Sequence, residues 1–141
     1  STRILNGNNL DIYEDGEESR DFVYIEDVVD ATILGIEKEE ANGNIFNVGS
    51  GVSTRVLDVA NTLKRLYNSE INITVSGKFR LGDIRHNCAD LSKSKDILGF
   101  TPKYNFERGI TEFVNWVKTQ EVKEDKYEKS IQQLKNKGLI K

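Results

Sequence analysis

Cysteine, methionine, histidine and proline are almost absent from the 141-residue sequence, which contains one Cys, one His, one Pro and no Met. The single cysteine, Cys88, excludes an internal disulfide and a multi-cysteine metal site, so we expect a packed thiol in a reducing compartment, the cytoplasm. No apolar run approaches the roughly 18 residues of a membrane span, which argues against a membrane partner. Because the sequence begins without Met, we expect that Ser1 is not the native start.

An excess of basic residues is also missing. The formal net charge is −3 and the isoelectric point is about 5.3, whereas a nucleic-acid-binding protein needs a basic face. We therefore expect no nucleic-acid partner. Hydrophobic residues make up 37% of the sequence, which is enough for one globular core of ordinary size.

The apolar pattern changes repeatedly between strand and helix spacing. It predicts strands at Leu10–Tyr13, Asp21–Ile25, Asn44–Val48 and Ile71–Val75. It predicts helices after Asp27, over 56–67, 91–98 and 106–117, and a loosely packed outer helix around 127–134. This order favours an α/β fold with crossover connections. We expect a body at 1–118 and a C-terminal helical extension at 119–141.

Two turns and two helix starts have recognisable residues. Asp27 is predicted to cap the first long helix, and Ser53 or Thr54 the second. The glycine-rich turn at 49–51 lacks the spacing of a dinucleotide fingerprint and the Lys of a P-loop, so we interpret it as a structural βα turn. Gly99 is predicted to end the helix before it.

Polar side chains are most concentrated in the run RLGDIRHNCADL at 80–91. An arginine fork suits a phosphate, and a carboxylate two or three residues on suits sugar hydroxyls. This run is therefore a candidate recognition loop. The alternative is a solvated loop whose charges pair with each other.

Three motifs resemble, in order, the C-terminal half of the extended short-chain dehydrogenase/reductases that act on nucleotide sugars. They are SRDFVYIEDVVDA at 19–31, NIFNVGSGVSTRVLDVA at 44–60, and the segment from RLGDIRHNCADL to NWV at 80–117. The runs DGEESRDF, GDIRHNCADL and KYEKSIQQLKNKGL are most similar to those of dTDP-L-rhamnose 4-epimerases. UDP-glucose 4-epimerases and sugar dehydratases share much of the pattern.

This resemblance implies an α/β fold, the C-terminal portion of the family fold, with a small sheet and packed helices but without the Rossmann half. The family's Gly-rich NAD turn and Tyr-x-x-x-Lys pair are not found in the sequence. We therefore expect a C-terminal fragment that has no turnover alone and binds no cofactor. NAD would be bound by the missing N-terminal half of an intact enzyme that forms a homodimer.

The resemblance also implies roles for five residues, none of them catalytic or metal-binding. Arg20 and Arg80 match arginines that converge on the substrate pyrophosphate, and Asp83 matches a carboxylate near the ribose. Arg85 and His86 are expected to be neighbours of the sugar or phosphate, His86 as a hydrogen-bonding group.

The residues leave the net reaction open. A nucleotide-sugar 4-epimerase is the principal interpretation, and a dehydratase or decarboxylase of the same family would use the same lobe. A non-catalytic carbohydrate- or protein-binding module is a third possibility. An upstream coding sequence with the Gly-rich turn and the Tyr-x-x-x-Lys pair would favour an enzyme over the module.

Overall fold

The computed structural model describes residues 1–141. Short strands alternate with longer helices: α1 (Thr2–Leu5), β1 (Leu10–Ile12), β2 (Ser19–Asp21), α2 (Ile25–Glu37), a 3₁₀ turn (Glu39–Ala41), β3 (Ser53–Arg55), α3 (Val56–Leu66), β4 (Ile73–Val75), α4 (Ser92–Leu98), α5 (Phe106–Lys118) and α6 (Tyr127–Asn136). This order confirms the predicted α/β class. None of the helices combines the length and the apolar character needed to cross a membrane.

The chain forms two compact units. The first unit contains Ser1–Glu18, Arg55–Arg85 and Phe113–Lys141, and the second contains Ser19–Thr54 and His86–Glu112. The predicted division into 1–118 and 119–141 stays a prediction.

The first unit is built on a parallel pair of strands. β1 pairs with β4, so that Leu10 lies opposite Ile73 and Ile12 opposite Val75. Parallel neighbouring strands need a crossover connection. Helix α3 is part of the connection between β1 and β4 and belongs to the same unit. Its core is formed by buried aliphatic side chains, namely Ile4, Ile12, Ala60, Ile71, Val114, Ile131 and Ile140.

The second unit has its core beside helix α2. Ala31, Leu98 and Phe100 are almost fully buried and form one cluster, which is extended by partly buried apolar neighbours. Helix α4 ends at Gly99, whose φ of +66° is the left-handed conformation that glycine adopts most easily. This ending confirms the prediction for Gly99.

Two strand predictions are corrected by the structure. Residues 44–48 form no strand, and Ile45 is 87% exposed, because an apolar run becomes a strand only where another strand pairs with it. The predicted strand Asp21–Ile25 lies two residues earlier, at Ser19–Asp21, and Ile25 already belongs to helix α2.

The two predicted N-terminal caps, at Asp27 and at Ser53 or Thr54, are wrong. Helix α2 begins after Tyr24, and Asp27 lies within its first turn, fully buried. Its carboxyl oxygens instead accept the backbone N–H groups of Lys103 and Tyr104, at 2.8 and 3.1 Å. Helix α3 begins after Arg55, with no side-chain cap, because Ser53 and Thr54 belong to strand β3.

Candidate functional site

Arg20 lies in β2 of the second unit, beside His86. Its Nη1 donates to the carbonyl oxygen of Ser19 at 2.9 Å. The Ser19 hydroxyl lies 2.9 Å from Nδ1 of His86 and accepts a hydrogen bond from the Ser53 hydroxyl at 2.7 Å. Asn87 N–H adds a backbone bond to Ser19 at 3.1 Å. His86 is therefore a hydrogen-bonded side chain held against the strand that carries Arg20.

The carboxylate of Asp21 organises the loops around this strand. It accepts hydrogen bonds from the backbone N–H groups of Ser50 (2.7 Å), Gly51 (3.0 Å) and Ala89 (3.2 Å), and from the Ser50 hydroxyl (2.6 Å). Burial opposes ionisation of Asp21, but these donors outweigh it and lower the pKa of the carboxyl group. A Cβ at Gly49 would collide with this carboxylate, so the close approach requires glycine.

The Asp21 contacts decide the function of the glycine-rich turn. Backbone amides after a strand often bind phosphate. Here the amides of Ser50 and Gly51 already bind a protein carboxylate. The turn is therefore structural, as the sequence indicates. Cys88 lies beside the same carboxylate and is exposed, so the expectation of a packed thiol is wrong.

In the first unit, the backbone around Arg80 is fixed by the C-terminal residues. Phe79 and Lys141 exchange both backbone hydrogen bonds, at 2.9 and 3.0 Å, and Leu81 N–H donates to the Leu139 carbonyl at 3.0 Å. Arg80 therefore lies opposite Ile140 in an antiparallel bridge. Gly82, with a φ of +80°, then turns the chain.

The Arg80 guanidinium remains half exposed and has two neighbours within its unit. Its carbon lies 5.4 Å from the centroid of the Tyr13 ring, a cation–π geometry. Its Nε lies 3.9 Å from Oδ2 of Asp83, whose Oδ1 accepts the Ile84 N–H at 3.0 Å. The side chain is oriented by these contacts and keeps access to solvent, and its phosphate-binding role stays a prediction.

The hydroxyl of Tyr13 belongs to a network of polar side chains. Its hydroxyl lies 3.4 Å from the Tyr127 hydroxyl, which donates to Asp11 at 3.1 Å, and Lys78 Nζ donates to the same Asp11 oxygen at 2.9 Å. Burial opposes the ionisation of Asp11, yet the hydrogen bonds lower its pKa. Burial and the neighbouring hydroxyl and carboxylate raise the pKa of Tyr127.

Arg85 binds carboxylates of its own unit. Its Nη1 lies 2.8 Å from Glu14 and its Nη2 lies 2.6 Å from Asp15. Oxygens of Glu14, Asp15 and Glu18 lie within 4.8 Å of one another, so this acidic cluster is partly neutralised by a protein cation. Glu14 has a φ of +46°, which is uncommon for a residue with a side chain.

Within the units, the structure brings together two sets of the predicted residues. Arg80 and Asp83 meet in the first unit, where Arg85 is tied to the acidic turn. Arg20 and His86 meet through Ser19 in the second. The convergence of Arg20 and Arg80 stays a prediction. Sequence reasoning missed Tyr13 and Tyr127, because no local signal connects residues 114 positions apart.

A family model described as GDP-mannose 4,6 dehydratase matches residues 1–113 of the chain. The chain belongs to this family. The predicted membership of the extended short-chain dehydrogenase/reductases that act on nucleotide sugars is thereby confirmed.

Individual proteins and structures that are similar to this chain agree with this assignment. A dTDP-L-rhamnose 4-epimerase of Burkholderia thailandensis is 41% identical over 108 residues, which cover 77% of this chain and 30% of the relative. The UDP-glucose 4-epimerase structure of Thermotoga maritima, solved with UDP-glucose, has a TM-score of 0.76 and 34% identity, covering 83% of this chain and 37% of that one.

A third similar structure is the dTDP-glucose 4,6-dehydratase of Bacillus anthracis in complex with NAD. It has a TM-score of 0.75 and 26% identity, covering 85% of this chain and 37% of that one. Other curated relatives include a UDP-N-acetyl-α-D-glucosaminuronate decarboxylase. The chain spans about a third of the length of the curated relatives it matches.

Proposed function

We propose that the chain is the nucleotide-sugar-binding part of an NAD-dependent nucleotide-sugar 4-epimerase of the dTDP-L-rhamnose 4-epimerase type. The 41% identity to such an enzyme supports this proposal. The half-exposed Arg80, oriented by Tyr13 and Asp83, gives it a physical basis.

In this proposal the arginines hold the nucleotide end of the substrate. The sugar has to turn over between hydride removal and return, so binding energy must be concentrated away from the reacting ring. Arg20 and Arg80 each contact the pyrophosphate, where charge-assisted hydrogen bonds are strongest. Asp83 accepts hydrogen bonds from the ribose hydroxyls.

Arg85 and His86 have smaller roles in the proposal, as neighbours of the sugar or phosphate. Both terminal nitrogens of Arg85 bind carboxylates, so contact with a ligand would require this fork to rearrange. His86 bonds to Ser19 through Nδ1, which leaves its Nε2 as the atom proposed to face the ligand.

NAD, when bound, supplies reversible hydride transfer at C4 of the sugar. The chain's own residues do not fit this cofactor, since the amides of its glycine-rich turn are bound by Asp21 and it has no Tyr-x-x-x-Lys pair. We therefore propose that residues outside this chain bind NAD and transfer the protons. The intact enzyme is proposed to act as a homodimer.

The arginine roles are tested in the intact protein with Arg20→Ala and Arg80→Ala. Each substitution should weaken binding of dTDP-sugar or UDP-sugar by about 1.5–3 kcal/mol, the range for a lost charge-assisted contact. Arg85→Ala should weaken binding less. Arg108→Ala is a matched control, since Arg108 stacks on Tyr104 at 4.0 Å and has no proposed ligand. Wild-type affinity in both test variants would contradict the proposal.

A second candidate function is a nucleotide-sugar dehydratase or decarboxylase, favoured by the similarity to such enzymes. Product analysis by NMR on the intact protein separates the three reactions. A 4-epimer of the substrate supports the principal proposal, whereas a 4-keto-6-deoxy sugar or loss of CO₂ supports the alternative.

A further inference from the structure

The C-terminal residues are bonded to the strand segment that carries Arg80. Three backbone hydrogen bonds of 2.9–3.0 Å join Leu139 and Lys141 to Phe79 and Leu81, one residue to either side of Arg80. Ile140 between them is only 8% exposed. Residues 139–141 are therefore docked on the strand segment that carries Arg80.

Helix α6 is connected to the side chain of Arg80 through Tyr13. The first residue of α6, Tyr127, contacts the hydroxyl of Tyr13, and the Tyr13 ring carries the Arg80 guanidinium. Tyr127 is in turn fixed through Asp11 and Lys78. The C-terminal segment therefore contacts the Arg80 region twice, once at the backbone and once beneath the side chain.

We propose that the segment Tyr127–Lys141 is a positioning element that pre-orients Arg80 for an anionic phosphate ligand, with Tyr13 as the intermediate positioning residue. This inference rests on the proposed function in one respect, that Arg80 binds phosphate. It adds that the affinity of Arg80 for that ligand depends on the C-terminal segment.

The physical reason is the entropy of a long side chain. Immobilising a rotamer-rich side chain on binding costs conformational entropy, and a guanidinium already held over an aromatic ring avoids part of that loss. Loss of the positioning contacts should therefore weaken ligand binding about 2- to 10-fold, less than loss of the guanidinium itself.

The backbone contact is tested in the intact protein by deletion of Leu139–Lys141. Lys141→Ala is the matched control, because it retains all three backbone hydrogen bonds. Isothermal titration with UDP and with dTDP should give a 2- to 10-fold higher Kd for the deletion and an unchanged Kd for the control. Amide exchange of Phe79 and Leu81 should accelerate in the deletion variant only, and unchanged exchange would overturn the proposal.

The side-chain contact is tested by Tyr13→Leu with Tyr13→Phe as its control. Leucine removes the ring under Arg80, whereas phenylalanine keeps it. The proposal expects a higher Kd for Tyr13→Leu and a smaller change for Tyr13→Phe. Each of these variants changes a single residue, so they test the proposal even if the deletion destabilises the fold. Equal Kd values in Tyr13→Leu and in the wild-type protein would contradict the proposal.

A double-mutant cycle distinguishes this inference from the proposed function. In an Arg80→Ala background, the deletion and Tyr13→Leu should have no further effect on Kd, because the group that they position is gone. If the deletion and Tyr13→Leu raise the Kd by the same factor in both backgrounds, the positioning role is overturned, while the phosphate role of Arg80 stays intact. An unchanged Kd in Arg80→Ala itself would overturn the proposed phosphate role of Arg80, and the inference with it.

Discussion

Helices α2 and α6 both carry an apolar stripe, but only one of them buries it. Ile36 of α2 is 80% exposed, and Val29 and Ile33 of the same stripe are about half exposed, whereas Ile131 of α6 is only 8% exposed. The sequence predicts a loosely packed α6, and for Ile131 this expectation is wrong. Helical spacing thus identifies an apolar face, but it does not show whether the same chain covers that face.

The two helices are consequently held by different kinds of contact. Helix α2 is fixed by Ala31 in the core, by the partly buried Leu34 packed against that core, and by the buried Asp27, which accepts two backbone N–H groups. Helix α6 is fixed by the large side chain of Ile131 and by the Tyr127 hydroxyl on Asp11. Substitutions of these residues therefore test whether the two helices are held by different contacts.

The largest effect is expected for Ile131→Ala. It removes a buried aliphatic side chain from the first unit and leaves a cavity, which should lower the free energy of unfolding by about 2–4 kcal/mol. Ile131→Val, which keeps most of the volume, should lower it by only about 0.5–1.5 kcal/mol. Urea unfolding measures both, and a loss below 0.5 kcal/mol for Ile131→Ala would show that α6 is as loosely packed as the sequence suggests.

The anchor of α2 is tested by Asp27→Asn. The amide NH₂ cannot accept the backbone N–H group that an Asp27 oxygen accepts, so the free energy of unfolding should fall by about 1–3 kcal/mol. Asp30→Asn on the same helix is the control. It removes only an exposed ion pair with Lys103, for which at most about 1 kcal/mol is expected. Equal losses in the two variants would mean that burial of Asp27 does not anchor α2.

The stability that the hydrogen bond between the Tyr127 hydroxyl and Asp11 contributes is expected to depend on pH. Asp11 has a lowered pKa in the folded protein, so its contribution to stability is fully present above the unfolded-state pKa of about 3.9 and is lost as the pH falls through the folded-state pKa. Tyr127→Phe should cost about 1 kcal/mol at pH 7. The loss should be smaller at pH 3, and a pH-independent loss would show that Asp11 is not the partner that matters.

The sequence predicted elements whose signal is local. Helices α3 and α5 follow from apolar residues three and four positions apart, and the end of α4 follows from Gly99. The predicted strand at 44–48 was wrong because a strand needs a partner that no local pattern identifies. The cap predicted at Asp27 was wrong because its carboxyl group binds amides 76 and 77 residues away.

The residues of the candidate site also differ in whether their signal in the sequence is local. Arg80, Gly82 and Asp83 lie within four positions, so residue type places them in one candidate loop, and the resemblance to the family implies their roles. The residues that orient Arg80 are Tyr13 and the C-terminal segment, which are distant in sequence and contact it only in the folded chain. Their role could not be predicted from the sequence, because stacking and backbone pairing between such distant residues leave no periodic pattern in it.

The smallest effect is expected for Ile36→Ala, the counterpart of Ile131→Ala in helix α2. Because 80% of the Ile36 side chain is exposed, its truncation removes little buried area, and the free energy of unfolding of the 141-residue chain should change by less than about 0.5 kcal/mol. Alanine also has the higher helix propensity, which offsets part of any loss. A loss above about 2 kcal/mol in urea unfolding would mean that the stripe of α2 is covered in solution, and the contrast between the two helices would then disappear.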